Sequence, residues 1–265
     1  MLVSIDHLVL AVPDLDAAAS ELERVAGLRA TGGGQHEALG TANRLVWFGD
    51  SYVELVAVVD REVAAGSWLG GPTLAALERG GSFVGWALRT DALDADVRAA
   101  RATGARFGDP QPGERTRADG RIVRWRIALP GPVGPAELPF LIERDEGSAE
   151  WSPADRAARS IEPHPVGGPV RLDVIELPTA DIPAAIASYL RTYGIRFRPS
   201  LAGGGARDAN IGRQIVRLRP PSSAATPVFR LAGTVGPDRT VDVLGCRWVV
   251  RAAGPAPRGG EGLPA

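Results

Sequence analysis

Apolar and polar positions recur along this chain in one block order: a strand-length apolar run, a polar stop, a segment with apolar residues at helical spacing, a glycine, then further apolar runs. In the first block Val9 to Val12 predict a strand buried on both faces, and Pro13 ends it because proline cannot donate to a ladder. Asp14 or Asp16 can then cap a helix from Ala17 to Val25 with Ala18, Leu22 and Val25 on one face, closed by Gly27. The second block runs from Phe83 to Thr90, with a helix from Ala95 to Thr103 and Gly104. The third runs from Val170 to Leu177, with a helix from Pro183 to Tyr193 and Gly194. Asp16 falls on Asp94 and Pro13 on Pro178, the second offset being about twice the first, so three units of similar size follow one another.

Shorter apolar runs complete each unit. In the first, Leu28 to Ala30 predict a short strand, Gly32 to Gly34 a flexible break, Arg44 to Phe48 a strand, Gly49-Asp50 a hairpin turn and Ser51 to Val59 the returning strand. Residues 60–81 predict a helical connector with Trp68, Leu74 and Leu77 buried. The second unit repeats the order with strands at Ala105 to Phe107, Ile122 to Ala128 and Leu138 to Glu143, and a loop over 109–120. The fold class expected is α+β, with tandem β-α-β-β-β units in a mixed sheet. Residues 1–146 form one domain (units 1–60 and 82–144), 147–168 a polar, proline-rich linker, 169–251 a third, degenerate unit, and 252–265 a disordered tail.

Composition narrows the function classes. A formal charge of -1 offers no basic footprint for nucleic acid. No apolar run reaches membrane-spanning length and no charged n-region precedes an apolar core, so a cytoplasmic location is expected. Cys246, the single cysteine, excludes an internal disulfide and a multi-cysteine zinc site. The excess of Ala, Gly, Pro and Arg over Lys is associated with GC-rich bacterial genomes. The glycine runs at 32–34 and 203–205 lack the Lys-Ser or Lys-Thr of a phosphate loop, and no Gly-x-Ser-x-Gly elbow occurs.

Three residues stand out chemically. Glu54 lies inside the apolar run Tyr52 to Val59 and Glu143 ends the run Phe140 to Ile142, so each carboxylate faces burial. Burial is costly unless the group is paired, protonated or bound to a metal. His7 shares a strand face with Ile5 and Val9. One imidazole and two carboxylates form a mixed nitrogen and oxygen set compatible with a divalent Zn, Ni, Co, Mn or Fe ion. The competing reading makes His7 a hydrogen-bonded core residue and pairs the glutamates with Arg89, Arg124 or Arg126. Arg124 and Arg126 share the strand face opposite Val123, Trp125 and Ile127; lining the interior they would suit an anionic ligand, and facing water they merely solvate. His36 and Asn43 are either a second polar pair at the mouth of the site or turn caps. His164, between two prolines, is expected at the surface without a role.

Paired β-α-β-β-β units with His7 in the first strand, the Gly40-Thr41-Asn43 loop, Tyr52-Val53-Glu54-Leu55, Gly85 to Thr90 and Leu138 to Glu143 resemble the vicinal oxygen chelate (glyoxalase, bleomycin resistance and dioxygenase) superfamily, and its glyoxalase-like domain proteins in particular. The resemblance implies a U-shaped sheet holding a metal by one residue from the first and one from the last strand of each unit. Here these are His7, Glu54, Gly85 or Trp86, and Glu143, of which the third has no ligand side chain. It implies a metal-dependent lyase or isomerase acting on a small carbonyl or vicinal-oxygen substrate, with Glu54 or Glu143 doubling as base and Asn43, Trp86, Arg124 and Arg126 touching substrate. The alternative is a non-catalytic binding or sequestering protein, as among the bleomycin-resistance relatives, with Trp86 walling an apolar pocket. The third unit, with Leu172 or Asp173 in place of His7, is expected to cover a sheet edge or to pack on a second copy of the chain as a homodimer.

Overall fold

The computed structural model describes residues 1–131, 138–221, 226–234 and 238–252. The first unit comprises β1 (Leu2–Ala11), α1 (Leu15–Ala26), β2 (Thr31–His36), β3 (Thr41–Phe48) and β4 (Ser51–Val58). Helices α2 (Arg61–Ala65) and α3 (Gly70–Glu78) lead to the second: β5 (Phe83–Thr90), α4 (Leu93–Ala102), β6 (Gln111–Arg117), β7 (Ile122–Ala128) and β8 (Phe140–Arg144). After α5 (Pro153–Ser160) come β9 (Arg171–Pro178), α6 (Ile182–Tyr193), β10 (Arg198–Pro199), β11 (Arg207–Ile211), β12 (Gln214–Arg219), β13 (Val228–Thr234), β14 (Arg239–Val243) and β15 (Cys246–Ala252). The chain is α+β, with repeated β-α-β-β-β units, as the apolar pattern predicts. Asp14 caps α1 by accepting from Ala17 N–H, and Gly27 ends it in the left-handed region.

Within each of the first two units the strand order is first, last, third, second, with first and last parallel. The units join through antiparallel β1 and β5. The free edges β2 and β6 also meet, through Gly34 with Arg117 and Gln35 with Thr116, so the U closes into an eight-stranded barrel. Closure explains two differences from the sequence pattern. The expected strand at 28–30 is β2 at Thr31–His36, and the expected loop 109–120 contains β6. Glycine carries no apolar signal, yet a Cβ on Gly33 would lie 2.0 Å from the Asn43 carbonyl oxygen, and one on Gly34 2.4 Å from that of Thr116. The glycines there permit strand approach and do not break the chain.

The second sheet has the order β10-β11-β12-β9-β13-β15-β14. Beyond the four strands of the third unit, β13, β15 and β14 follow the order first, last, middle, and β13 pairs antiparallel to β9 as β5 does to β1. This sheet packs on the outer face of the barrel within the same chain. Ile5, Leu8, Leu55 and Trp86 share one apolar core with Leu172, Ile175, Tyr189 and Trp248. Gln214 ties the two together, accepting from Ile5 N–H at 2.7 Å and donating to Ser51 Oγ at 2.8 Å. Residues 147–168 are more than a linker: they form α5 and bury Glu150, Trp151, Arg159 and His164. Their polar side chains are turned inward, each with a partner, which composition alone does not register. The expected disordered tail lies, past Ala252, outside the described residues.

Candidate functional site

Period-two alternation sends His7 and Val9 of β1, Tyr52 and Glu54 of β4, Phe140, Ile142 and Arg144 of β8 and Trp125 of β7 to the inside of the barrel. There, Val9 apart, they line a cavity of about 40 Å³. It adjoins a broad outer groove of about 1180 Å³, with His36, Trp68, Trp125 and Arg144 common to both.

Asp6 joins His7 on the inside although it is the next residue. Between β1 and β5, Ile5 pairs with Leu88 and His7 with Ala87, leaving Asp6 as the extra residue of a bulge. A bulge re-aims a side chain that strict alternation would send outward. Asp6 Oδ1 lies 2.6 Å from His7 Nδ1, and both Asp6 oxygens accept from the Arg144 guanidinium. Burial alone would raise the Asp6 carboxyl; the Arg144 charge and the His7 hydrogen bond hold it well below the usual carboxylate range. Arg144 also donates to Tyr52 Oη at 2.7 Å, and the His7 ring stacks on Tyr52 with centroids 4.7 Å apart. The ionised Asp6 carboxylate takes the Nδ1 side of the His7 ring, so Nε2 faces Glu54 Oε2, 3.6 Å away.

Glu54 is enclosed on its other side by His36 and Asn43. The Asn43 amide oxygen accepts from Gly34 N–H at 2.9 Å, which directs its Nδ2 to Glu54 Oε1 at 2.6 Å. His36 Nε2 lies 3.4 Å from the same Nδ2 and 3.8 Å from Glu54 Oε1, with Nδ1 3.2 Å from Thr41 Oγ1. Burial pushes the His36 imidazole down, helped by the Arg115 charge and opposed by Glu54. For Glu54, burial would raise the carboxyl, but His36, His7, the Asn43 hydrogen bond and Arg115 outweigh it and the group sits below the usual range. Among the described residues, Asn43 alone donates a hydrogen bond to it. An ionised carboxylate thus sits deep in the barrel with imidazole nitrogens on two sides.

The other expected site residues lie outside the inner cavity, and Glu143, Arg124 and Arg126 line the outer groove. Glu143 is on the outer side of β8, where Oε1 accepts the Leu93 N–H that opens α4 and Oε2 pairs with Arg126 at 3.1 Å. The same parity that turns Phe140 and Ile142 inward puts Arg144 inside in its place. Arg126 makes a two-pronged pair with Asp94, and Arg124 is an exposed partner of Glu114; both belong to the outer face of β7. Trp86 is buried on the outer face of β5, its ring 6.4 Å from Tyr189 of the third unit, and does not line the cavity that holds His7 and Glu54. The set His7, Glu54 and Glu143 therefore does not assemble. Among the described residues no group of three or more His, Cys, Asp or Glu side chains is placed to hold a metal ion. The Arg144 guanidinium stands beside His7 and brings positive charge to the inner end of β8. The expected divalent ion does not fit these residues.

The sequence pattern marks neither Asp6 nor Arg144 as a site residue. Asp6 is invisible to alternation, whereas Arg144 had a signal: it shares parity with apolar Phe140 and Ile142. His36 and Asn43, open between mouth and turn, both face the cavity.

No curated protein sequence matches this chain. The crystal structure of a hypothetical protein from Staphylococcus aureus superposes with a TM-score of 0.76 at 15% identity, covering 94% of this chain and 99% of that one, which establishes a shared fold. A variant of Streptomyces coelicolor methylmalonyl-CoA epimerase in complex with 2-nitronate-propionyl-CoA aligns at 21% identity and TM-score 0.42, over 56% of this chain and 99% of that chain. Methylmalonyl-CoA epimerase from Mycobacterium tuberculosis aligns at 23% identity and TM-score 0.42, over 54% and 89%. The family model described as glyoxalase-like domain matches residues 5–193, most of the two barrel units and the start of the third, and the chain belongs to that family, within the vicinal oxygen chelate superfamily.

Proposed function

We propose that the protein is an isomerase- or lyase-type enzyme that moves a proton on a small carbonyl substrate, with Glu54 as the base. The observation that carries this reading is the ionised Glu54 carboxylate, buried in the barrel with Asn43 its one donor among the described residues and with imidazole nitrogens 3.6 and 3.8 Å away. A base so placed is desolvated, fixed in orientation and short of donors, the conditions under which a carboxylate takes a proton from carbon. His7, locked by Asp6 and Arg144, is positioned to accept or return that proton from the opposite side of the carboxylate. The substrate body would lie in the outer groove between Trp68 and Trp125, its reacting end passing inward.

Loss of carbon-bound protons in deuterated water, followed by proton NMR over a panel of small ketones, aldehydes and hydroxy-carbonyl compounds, tests the proposal. Protein-dependent exchange that falls at least 100-fold in Glu54→Gln supports it. The aromatic lining of the groove favours a second reading, binding without turnover. Saturable binding of a panel member with no exchange selects that reading, and neither binding nor exchange overturns both.

A further inference from the structure

The barrel interior contains one more buried cation that none of this chemistry uses. Arg115 of β6 is 4% exposed, lines the inner cavity beside His36, Asn43 and Glu54, and donates from Nη2 to Glu150 Oε2 at 2.7 Å. Arg117 holds the other Glu150 oxygen, also at 2.7 Å, so that carboxylate is saturated and fixed. Arg115 Nη1 is fully buried and has no hydrogen-bond partner among the described residues. A buried guanidinium N–H without an acceptor costs stability unless an oxygen is brought to it.

The geometry points to Arg115 as the oxyanion donor of the site: Nη1 takes the carbonyl oxygen of the substrate while Glu54 takes the proton from the adjacent carbon. This rests on the base role of Glu54 and adds the group that makes that step feasible. The C–H bond breaks, its proton passes to the Glu54 carboxylate, and the electron pair moves through the new C=C bond onto oxygen as an enolate hydrogen-bonded to Nη1. Return of the proton to either face of the same carbon completes an epimerisation; where that carbon also carries a hydroxyl, transfer of the hydroxyl proton to the enolate oxygen and return of the carbon-bound proton to the former carbonyl carbon completes an isomerisation, with no other reactant. A preorganised donor in a water-poor site is worth far more to the developing oxyanion than to the neutral carbonyl. The Glu150 pair supplies the preorganisation, because it fixes the plane of the guanidinium before substrate arrives. A cavity of about 40 Å³ admits a terminal carbonyl and no ring, so the substrate is a small open-chain carbonyl head on a body that stays in the groove.

Propane-2-nitronate, an enolate mimic with two oxygens on nitrogen, is the probe. Calorimetric binding to the full chain is compared with Arg115→Gln and with Arg115→Lys, whose ammonium keeps charge beside Glu150 but lacks Nη1. Hydroxyacetone exchange is followed in parallel, with circular dichroism to confirm folding. The expected result is wild-type binding weakened at least tenfold in both variants, with exchange lost alongside. Nitronate binding unchanged in folded Arg115→Lys, or absent from the wild type, overturns the assignment. Exchange lost in Glu54→Gln but kept in Arg115→Lys overturns it while leaving Glu54 as base. Nitronate held through Arg115 with no exchange by any form retains the oxygen subsite and sinks the base reading.

Discussion

Asp6 and His7, consecutive residues of one strand, both face the barrel interior and share a 2.6 Å contact between carboxylate and imidazole. A flat strand would separate them to opposite faces; the bulge that pairs Ile5 and His7 with successive residues of β5 brings them together. The consequence is a fixed ring orientation at His7 and an anion in the core whose only full positive partner among the described residues is Arg144.

Removing that partner is therefore expected to be severe. In Arg144→Met the Asp6 carboxylate stays fully buried without its counter-charge, and the guanidinium stacked 4.4 Å from the Trp151 ring is lost as well. Breaking a buried pair from one side costs about 3–5 kcal/mol. Urea unfolding should register a loss in that range, and the double variant Arg144→Met with Asp6→Asn should recover part of it. A loss under about 1 kcal/mol would mean that the pair does not carry the core.

Gly33 is expected to resist any side chain. Its φ is +104° and a Cβ would reach 2.0 Å from the Asn43 carbonyl oxygen, next to the side chain that donates to Glu54. Gly33→Ala should cost about 2–3 kcal/mol from backbone strain and strand displacement. Gly32→Ala, with nothing within 4 Å of its Cβ, isolates the backbone part, since its φ is also positive at +60°. The difference between the two midpoints of thermal unfolding reports the close approach to Asn43 together with the extra strain of φ +104° over +60°.

The units, their helices and the inward position of Glu54 were legible because each follows from a local rule: alternation, an Asp cap, a terminal glycine. The expectation that His7 shares a face with Ile5 fails at the Asp6 bulge, which leaves Ile5 on the outer face. Strands β2 and β6 were not legible, since Gly33, Gly34 and the charged run Gln111–Arg117 contribute pairing without apolar content. The third site position failed for a different reason. Residue type at the end of an apolar run points to Glu143, whereas parity with Phe140 and Ile142 selects Arg144. Asp6 could not be placed from the sequence, because a bulge depends on the partner strand. His164 was assigned to the surface on the chemistry of its two prolines, yet β3 and the chain after α1 close over it.

Glu143→Gln separates the inner site from the outer face. The residue caps α4 through Leu93 N–H and pairs with Arg126, which has Asp94 as a second carboxylate. The amide keeps an acceptor for the helix N-terminus and loses the charge, so a cost of about 0.5–1 kcal/mol is expected. Proton exchange by the variant should equal that of the wild type within twofold. A fall comparable to that in Glu54→Gln would place Glu143 back in the reaction.

Acid sensitivity is expected from His164. Its Nε2 donates to the Trp47 carbonyl at 2.7 Å and its Nδ1 accepts the Arg29 N–H at 3.0 Å, an arrangement that only the neutral ring can satisfy. Burial pushes the imidazole below its ordinary value of 6.5, against the Trp47 hydrogen bond and Glu162 and Glu23, which favour the charged form, and with Arg29 opposing it. A depressed folded value means that the unfolded chain binds the proton first. Stability is then fully present above about pH 6.5 and declines as pH falls below it, because protonation favours the unfolded state. Thermal midpoints measured from pH 8 to pH 5 should be flat above pH 7 and fall below pH 6.5. His36, lowered by burial in the same direction, adds to the slope. In His164→Gln, whose amide can donate to Trp47 and accept from Arg29 at any pH, the slope should shrink; an unchanged slope would assign the acid response to His36 and the carboxylates around it.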